Sequence, residues 1–312
     1  MNPVVVIGDA NVDLEIVLPD ASHGGTHAHP EPQMFGGGSA ANTAAALARL
    51  DVPVSFIGTV GNDDHGRFAI ASLDEAGVNT RGITTTSDDP TVMVIVVVQA
   101  DGERLIYVWP PSGGAQSALT SEHAIASTAS ASWLHVSGLC LRTNPARDAI
   151  LLAMEHARAN GIPVSFDLNL RLENWGWDGD FRSVVETAID HADIVFGNGD
   201  DEILPLAGES DIPSAASKIA GMTRLVVARL GKDGAMGVGA GSMTASPGFP
   251  TSVVDTVGAG DAFNAGFIAA HLSGLPLEQR LRQGNAVASL AIQHRGARST
   301  PSQQEARRLL AT

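Results

Sequence analysis

The chain opens with an unbroken β-branched run, Val4–Ile7, closed by Gly8. So short and continuous an apolar stretch predicts a strand buried on both faces. Val12–Leu18, ending at Pro19, and Val54–Ile57 predict two more strands. Between them, Ser22–Gln33 reads as a loop rich in Gly, His and Pro, and Ala-rich Ser39–Leu50 as a helix capped by Ser39 or a neighbour. Phe68–Ala76 has a helical pattern. Thr91–Gln99 and Arg104–Trp109 are both β-rich, and Ala100-Asp101-Gly102 between them signals a hairpin. Two adjacent strands without an intervening helix predict an antiparallel flap. Beyond it, strands at Trp133–Val136, Val164–Asp167, Ile194–Phe196, Leu225–Val227 and Met236–Val238 interleave with helices at Ala146–Asn160, Phe181–His191 and Ser214–Gly221. Helices at Ala262–Ser273 and Gln283–His294 close the chain. This rhythm predicts an α/β fold: one domain over 1–312, a mostly parallel sheet flanked by helices, and a small β lid from about residues 11–35 and 90–110.

Composition narrows the function. Apolar residues make up 44% of 312, enough for a sizeable core. The net charge of −15 excludes the basic footprint that nucleic acid or an anionic membrane surface requires. No apolar run approaches the ~18 residues of a membrane span. Met1-Asn2-Pro3 leads straight into the first strand with no basic segment, so no signal peptide is expected. A single cysteine, Cys140, excludes an intrachain disulfide and fits a reducing, cytoplasmic setting; it reads as a small buried hydrophobe. His23, His27 and His29 lack a usefully spaced third type of ligand and read as a solvated loop.

The strongest chemical signal is Asp255-Thr256-Val257-Gly258-Ala259-Gly260-Asp261 at the start of a predicted helix. Its glycines let backbone N–H groups approach a ligand, and a helix N-terminus suits phosphate oxygens. Asp261 stands where a carboxylate takes a proton from an attacking hydroxyl. Alone, Gly-x-Gly-Asp is more often just a first-turn acid. No Gly-Lys-Ser/Thr follows, so this is not a Walker A loop. Nor does Gly-x-Gly-x-x-Gly follow the first strand, as a dinucleotide-binding dehydrogenase would require.

Two segments at opposite ends of the chain change the odds. Asp255–Asp261 resembles the C-terminal signature of the ribokinase-like, or PfkB, carbohydrate kinases, and Gly37-Gly38-Ser39-Ala40-Ala41-Asn42-Thr43-Ala44 resembles their N-terminal one. The resemblance spans the whole chain. It implies an ATP-dependent sugar kinase with Asp261 as catalytic base and the N–H groups around Gly258, Ala259 and Gly260 as an anion hole. Gly8-Asp9-Ala10-Asn11-Val12-Asp13 resembles the family's first strand and turn, which puts Asn11 and Asp13 on sugar hydroxyls with Gly37, Gly38 and Asn42. Gly114-Ala115-Gln116 resembles its Gly-Ala-Asn, and Asp167-Leu168-Asn169-Leu170-Arg171 its Asp-x-Asn-x-Arg, so Asn169 and Arg171 belong near the acceptor and phosphates. A salt bridge of Arg171 to Asp167 or Glu173 is the plainer reading. Trp175 and Trp177 read as packing residues.

On the ATP side the resemblance implies Asn198, Arg229, Gly231, Gly234, Thr256 and Asn285. Asn198-Gly-Asp-Asp201-Glu202 resembles the Asn-x-x-Glu that organises Mg²⁺ through water, but one residue out of step, leaving Asp201 and Glu202 both open. Gly296, with Asp255 and Val257, matches a segment that holds K⁺ in many relatives, one residue short. Fructose and 2-keto-3-deoxygluconate are the leading acceptors. Tyr107 and Trp109 keep a nucleoside kinase open, and loss of catalysis would leave a sugar-binding regulator. Exposed lid edges predict a homodimer through the lid.

Overall fold

The computed structural model describes residues 2–18, 31–99, 104–129, 131–172 and 176–311. Thirteen strands form two sheets. In chain order they are β1 (Val4–Ile7), β2 (Asn11–Val17), β3 (Gln33–Gly37), β4 (Val54–Gly61), β5 (Asn79–Thr86), β6 (Met93–Val98), β7 (Arg104–Trp109), β8 (Trp133–Ser137), β9 (Val164–Asp167), β10 (Ile194–Asn198), β11 (Leu225–Arg229), β12 (Ala235–Gly239) and β13 (Ser242–Ser246). The large sheet runs β13-β12-β11-β10-β9-β8-β1-β4-β5. Pairing is parallel from β5 to β11, and β12 and β13 close one edge antiparallel.

β1 lies between β4 and β8, with helices on both sides, so its residues divide with period two. Val5 and Ile7 pack with Leu134, Phe166 and helix Ala146–Ala159; Val4 and Val6 pack with Phe56, Phe196 and helix Ala259–Leu272. This is why the run reads as uniformly apolar.

The small sheet runs β3-β2-β6-β7. It is the expected small sheet. β6 and β7 pair antiparallel, as expected, and β2 pairs with β6 in parallel, from Val12↔Met93 to Val17↔Val98. β2 and β6 follow the carboxyl ends of β1 and β5, two parallel strands of the large sheet, so they enter the small sheet in the same direction. Pro19, the hairpin at Ala100-Asp101-Gly102, the histidines at 23, 27 and 29, and residues 173–175, with Glu173 and Trp175, lie outside the described residues.

Several elements escaped the pattern. β5 (Asn-Thr-Arg-Gly-Ile-Thr-Thr-Thr) is a polar edge strand, and β3, helix Ser121–Thr128, β13 and helix Gln303–Leu310 carry too few apolar positions. The cap of helix Ser39–Arg49 also differs from expectation. Its N-cap is Gly38, and no neighbouring side chain on its own segment caps it. The Asp9 carboxylate does so from the end of β1, accepting the N–H groups of Ser39 at 2.6 Å and Ala40 at 3.2 Å. The Ser39 hydroxyl is drawn instead to another buried acid, Asp261. Among the described residues no helix is long and apolar enough to cross a membrane.

Candidate active site

Asp261 sits in the first turn of helix Ala259–Leu272 and is buried. Ser39 Oγ donates to its Oδ1 at 2.7 Å, and Asn42 Nδ2 to its Oδ2 at 3.0 Å. Folding thus joins the two signature segments on one carboxylate. Burial pushes the Asp261 acid up to about 7, helped by the Asp167 and Asp9 charges and opposed by the bonds from Asn42 and Ser39. The group is therefore a base poised near neutrality. Gly258 caps the helix with a φ of 79°, and a Cβ there would stand 2.5 Å from the Ala297 carbonyl oxygen. Only glycine lets the chain turn here, which sets the 258–260 N–H groups at the helix head, where that of Ala259 donates to Thr256 O at 3.2 Å.

Asn11, Asp13 and Gly37, expected on the sugar side, lie together. Asn11 Nδ2 donates to Asp13 Oδ1 at 2.8 Å, and Asn11 faces Gly37 across the β2–β3 pair. A Cβ on Gly37 would come within 2.6 Å of Asn11 Nδ2 and closer still to Asp13 Oδ1. Burial lifts Asp13 to about 6. Gly38 has a φ of 97°, and a Cβ there would meet the Asp9 backbone. One residue escaped the sequence reading. Arg298 lies half-buried beside this group, bonded to Asn42, Ser72 and Gly37. Its segment was legible, but its role depends on partners far away in the chain.

At the carboxyl ends of β9, β10 and β11 a charged network forms. Arg229 donates to Asp167 Oδ1 and Asn264 Oδ1, both at 2.8 Å, and Asn264 Nδ2 donates to Asp167 Oδ2 at 2.8 Å. Asp167 thus pairs with Arg229 rather than with Arg171. Arg229 lies behind the glycine loop: a Cβ on Gly260 would be 3.3 Å from its Cζ. Asn169 (φ 43°) and Arg171 (φ 47°) are both left-handed, on either side of buried Leu170. Non-glycine residues held so are strained, and such strain gathers at functional sites.

The Asp201/Glu202 ambiguity has a structural origin. Gly199–Ile203 is a π-helical turn, in which Leu204 N bonds to Gly199 O. A π turn takes up one extra residue. It leaves Asp201 exposed and turns Glu202 inward, where Oε1 accepts Leu170 N–H at 2.8 Å and Oε2 accepts Asn198 N–H at 2.7 Å. Asn198 Oδ1 caps the turn through the N–H groups of Asp200 and Asp201. Among the described residues no three metal-ligating side chains cluster. A hard-oxygen set this sparse fits a Mg²⁺ that keeps its waters and leans on a nucleotide, rather than a metal caged by protein.

Among the residues expected on the ATP side, Gly231 and Gly234 have φ of 58° and 100°, and Leu230 N–H closes the turn on Gly234 O at 2.8 Å. Asn285 is buried, and its Nδ2 holds the carbonyls of Ser246 (3.0 Å) and Pro247 (3.1 Å). Asp255 brackets two loops: Oδ1 accepts Val257 N–H at 3.2 Å and Oδ2 accepts Gly296 N–H at 3.1 Å. Thr256 is exposed beside them. Gly114 (φ 60°) turns the chain after the lid. Trp177 packs edge-on to Phe181, Tyr107 and Trp109 lie exposed on β7, and burial pushes the Cys140 thiol well up.

The glycine-headed helix, the buried base and the two-sheet fold can be set against known proteins. The profile of the pfkB family carbohydrate kinases matches residues 1–304. The chain belongs to that family. A fructokinase of Vibrio alginolyticus is 32% identical over 99% of each chain. An ATP-dependent ribose-1-phosphate kinase of Halopiger xanaduensis is 33% identical over 96% of this chain and 95% of its own. Among solved structures, a fructokinase double mutant of Vibrio cholerae bound to fructose, ADP and potassium ion superposes with a TM-score of 0.84, at 28% identity over 99% and 98% of the two chains. The pfkB chain described here is therefore a ribokinase-fold sugar kinase, a phosphotransferase with a hydroxyl acceptor.

Proposed function

We propose that this kinase transfers the γ-phosphoryl group of Mg·ATP to a primary hydroxyl of a neutral ketohexose, fructose first among them, with Asp261 as the base. The observation that carries this is the Asp261 carboxylate, held by Ser39 and Asn42 at the head of a helix that starts in glycines. In this reading Asn11, Asp13, Gly37, Gly38 and Asn42 hold the sugar. A half-buried Asp with one lone pair given to Asn11 keeps others for a vicinal diol. Asp9, Asp13 and Asp261 gather around the acceptor, which disfavours a phosphorylated sugar there.

Asp261 takes the hydroxyl proton as the oxygen attacks phosphorus. The N–H groups of 258–260 face the charge of the transferring group, and Arg229 adds positive charge behind Gly260. Asn169 and Arg171 orient the acceptor and phosphates, while Asn198, Gly231, Gly234, Thr256 and Asn285 frame ATP. Mg²⁺, held through water by the inward-facing Glu202, would neutralise phosphate charge when bound. K⁺ would sit in the bracket of Asp255, Val257 and Gly296. The lid excludes water from the reaction.

ADP release with Mg·ATP over a panel of ketoses, aldoses, sugar acids, sugar phosphates and nucleosides, with and without K⁺, tests this reading. Fructose should give the highest kcat/KM. A sugar acid ahead of it would point to Arg171, exposed and without an ion pair among the described residues, as a carboxylate clamp. A nucleoside ahead would point to Tyr107 and Trp109. No turnover on any acceptor would overturn the kinase assignment of these residues.

The pH profile follows from Asp261. Its acid is raised to about 7, and only the carboxylate accepts a proton. So kcat/KM should climb as pH rises through about 7 and level off above it. A profile flat from pH 5.5 to 8.5 would exclude Asp261 as the group that titrates.

We also propose a homodimer through the lid. Leu105, Ile106, Tyr107, Val108 and Trp109 of β7 are all substantially exposed, as is Met34 of β3. Sedimentation should give twice the chain mass, and Ile106→Lys should return the monomer.

A further inference from the structure

Arg298 is an anomaly. It is only partly exposed, yet it makes no ion pair among the described residues, and all three of its hydrogen bonds go to neutral acceptors. Nε donates to Asn42 Oδ1 at 3.3 Å, Nη1 to Ser72 Oγ at 2.8 Å and Nη2 to the Gly37 carbonyl at 2.8 Å. A cation drawn partly out of water without a counter-ion in contact is costly to desolvate, and this pulls its pKa down to about 10 even with the Asp13, Asp9 and Asp261 charges nearby.

The partners suggest what the charge does. Asn42 is an amide with two ends, and its Nδ2 donates to Asp261 while its Oδ1 accepts from Arg298. An amide rotated by 180° would present its oxygen to the carboxylate and its NH₂ to the guanidinium, repelling both. Arg298 therefore allows one orientation only. The same guanidinium grips Gly37, the last residue of lid strand β3, and Ser72 on helix Asp64–Glu75. Gly36 leaves room for it, since a Cβ there would run into the guanidinium.

We propose that Arg298 is a positioning residue for the phosphoryl transfer: it fixes the Asn42 amide that holds Asp261, supplies the cation that keeps this base ionised, and ties both to the lid strand. The inference rests on Asp261 being the base.

The test is the pH dependence of kcat/KM for the full chain with its best acceptor. Removing the charge and freeing the amide both make the Asp261 anion less favourable, so its acid rises further and the limb moves to higher pH. Arg298→Met should lose about tenfold in kcat/KM at pH 7 and shift the limb up by about one pH unit, with partial recovery at high pH. A merely structural defect would lower the rate equally at all pH. Arg298→Lys keeps the charge but not the fork, so the limb should stay while kcat falls and KM changes little. An Arg298→Met enzyme with an unmoved limb and a rate within about twofold of the parent overturns the proposal. If that variant does not fold by circular dichroism, Arg298→Lys decides, and an unchanged kcat overturns it. Asp261→Asn separates the two readings. If that variant turns over normally, the base assignment fails and this inference with it. If it is dead while the Arg298 variants behave like the parent, only the inference fails.

Discussion

Asp261→Asn should lower kcat by about 10²–10⁴-fold, the range a positioned general base supplies, while leaving the fold intact. Asn is nearly isosteric and still accepts from Ser39 or Asn42, so the site keeps its shape. Stability should move the other way. The Asp261 acid is raised to about 7 in the folded protein, above the ordinary carboxylate range. A group whose folded acid is raised costs stability between the pH at which it ionises in the unfolded chain and the pH at which it ionises in the folded one, so its penalty is absent below the ordinary carboxylate range, grows as pH rises towards about 7 and is constant above that. At pH 8 the variant should melt higher than the parent; at pH 5 the gain should be smaller. Parallel kcat and melting curves at both pH values check this. Normal turnover, or a melting gain equal at pH 5 and 8, would contradict the picture of a buried base strained for its task.

Arg229→Met should cost about 3–5 kcal/mol of stability, the usual result of breaking a buried ion pair from one side. Asp167 is 2% exposed and Glu202 11%, and the Arg229 guanidinium reaches them at 2.8 and 3.6 Å. Burial works against the Arg229 charge, but Asp167 and Glu202 outweigh it and hold the guanidinium protonated. Without it two acids face each other in a closed space, and Asn264 loses one of its two partners. The midpoint of urea unfolding should fall accordingly. A second change, Asp167→Asn, should restore part of the loss, because it removes the orphaned charge. Strictly additive losses would mean that the network is not coupled. Activity should fall as well, since Gly260 rests against this side chain.

The central strands were legible because burial on both faces leaves a continuous apolar trace, as in Val4–Ile7 and Ile194–Phe196. Edge strand β5 was not, because half its residues meet water and nothing in its pattern requires a sheet. The two signature segments were legible as chemistry, for Asp261 and Asn42 announce themselves by residue type and neighbours. What holds them was not. Asp9 reads as part of a sugar-side turn, yet it caps a helix 30 positions on. Arg298 meets Asn42 across 256 positions, and no local pattern encodes such a meeting. Arg229 read as a phosphate contact; whether it touches a nucleotide or not, two of its nitrogens already serve Asp167 and Asn264.

The π turn at Gly199–Ile203 changes how this chain should be aligned and edited. Reading three places on from Asn198 lands on Asp201, which looks outward; the inward acid is one place later. The extra residue acts as a shim, absorbed by a wider loop of backbone while Glu202 stays in phase with its two N–H donors. Deleting Asp201 should therefore tighten the turn to an ordinary helix and keep Glu202 facing the site. Substituting Glu202 would keep the count but lose the acid that clasps the exits of β9 and β10. At this bend, length can vary more freely than identity.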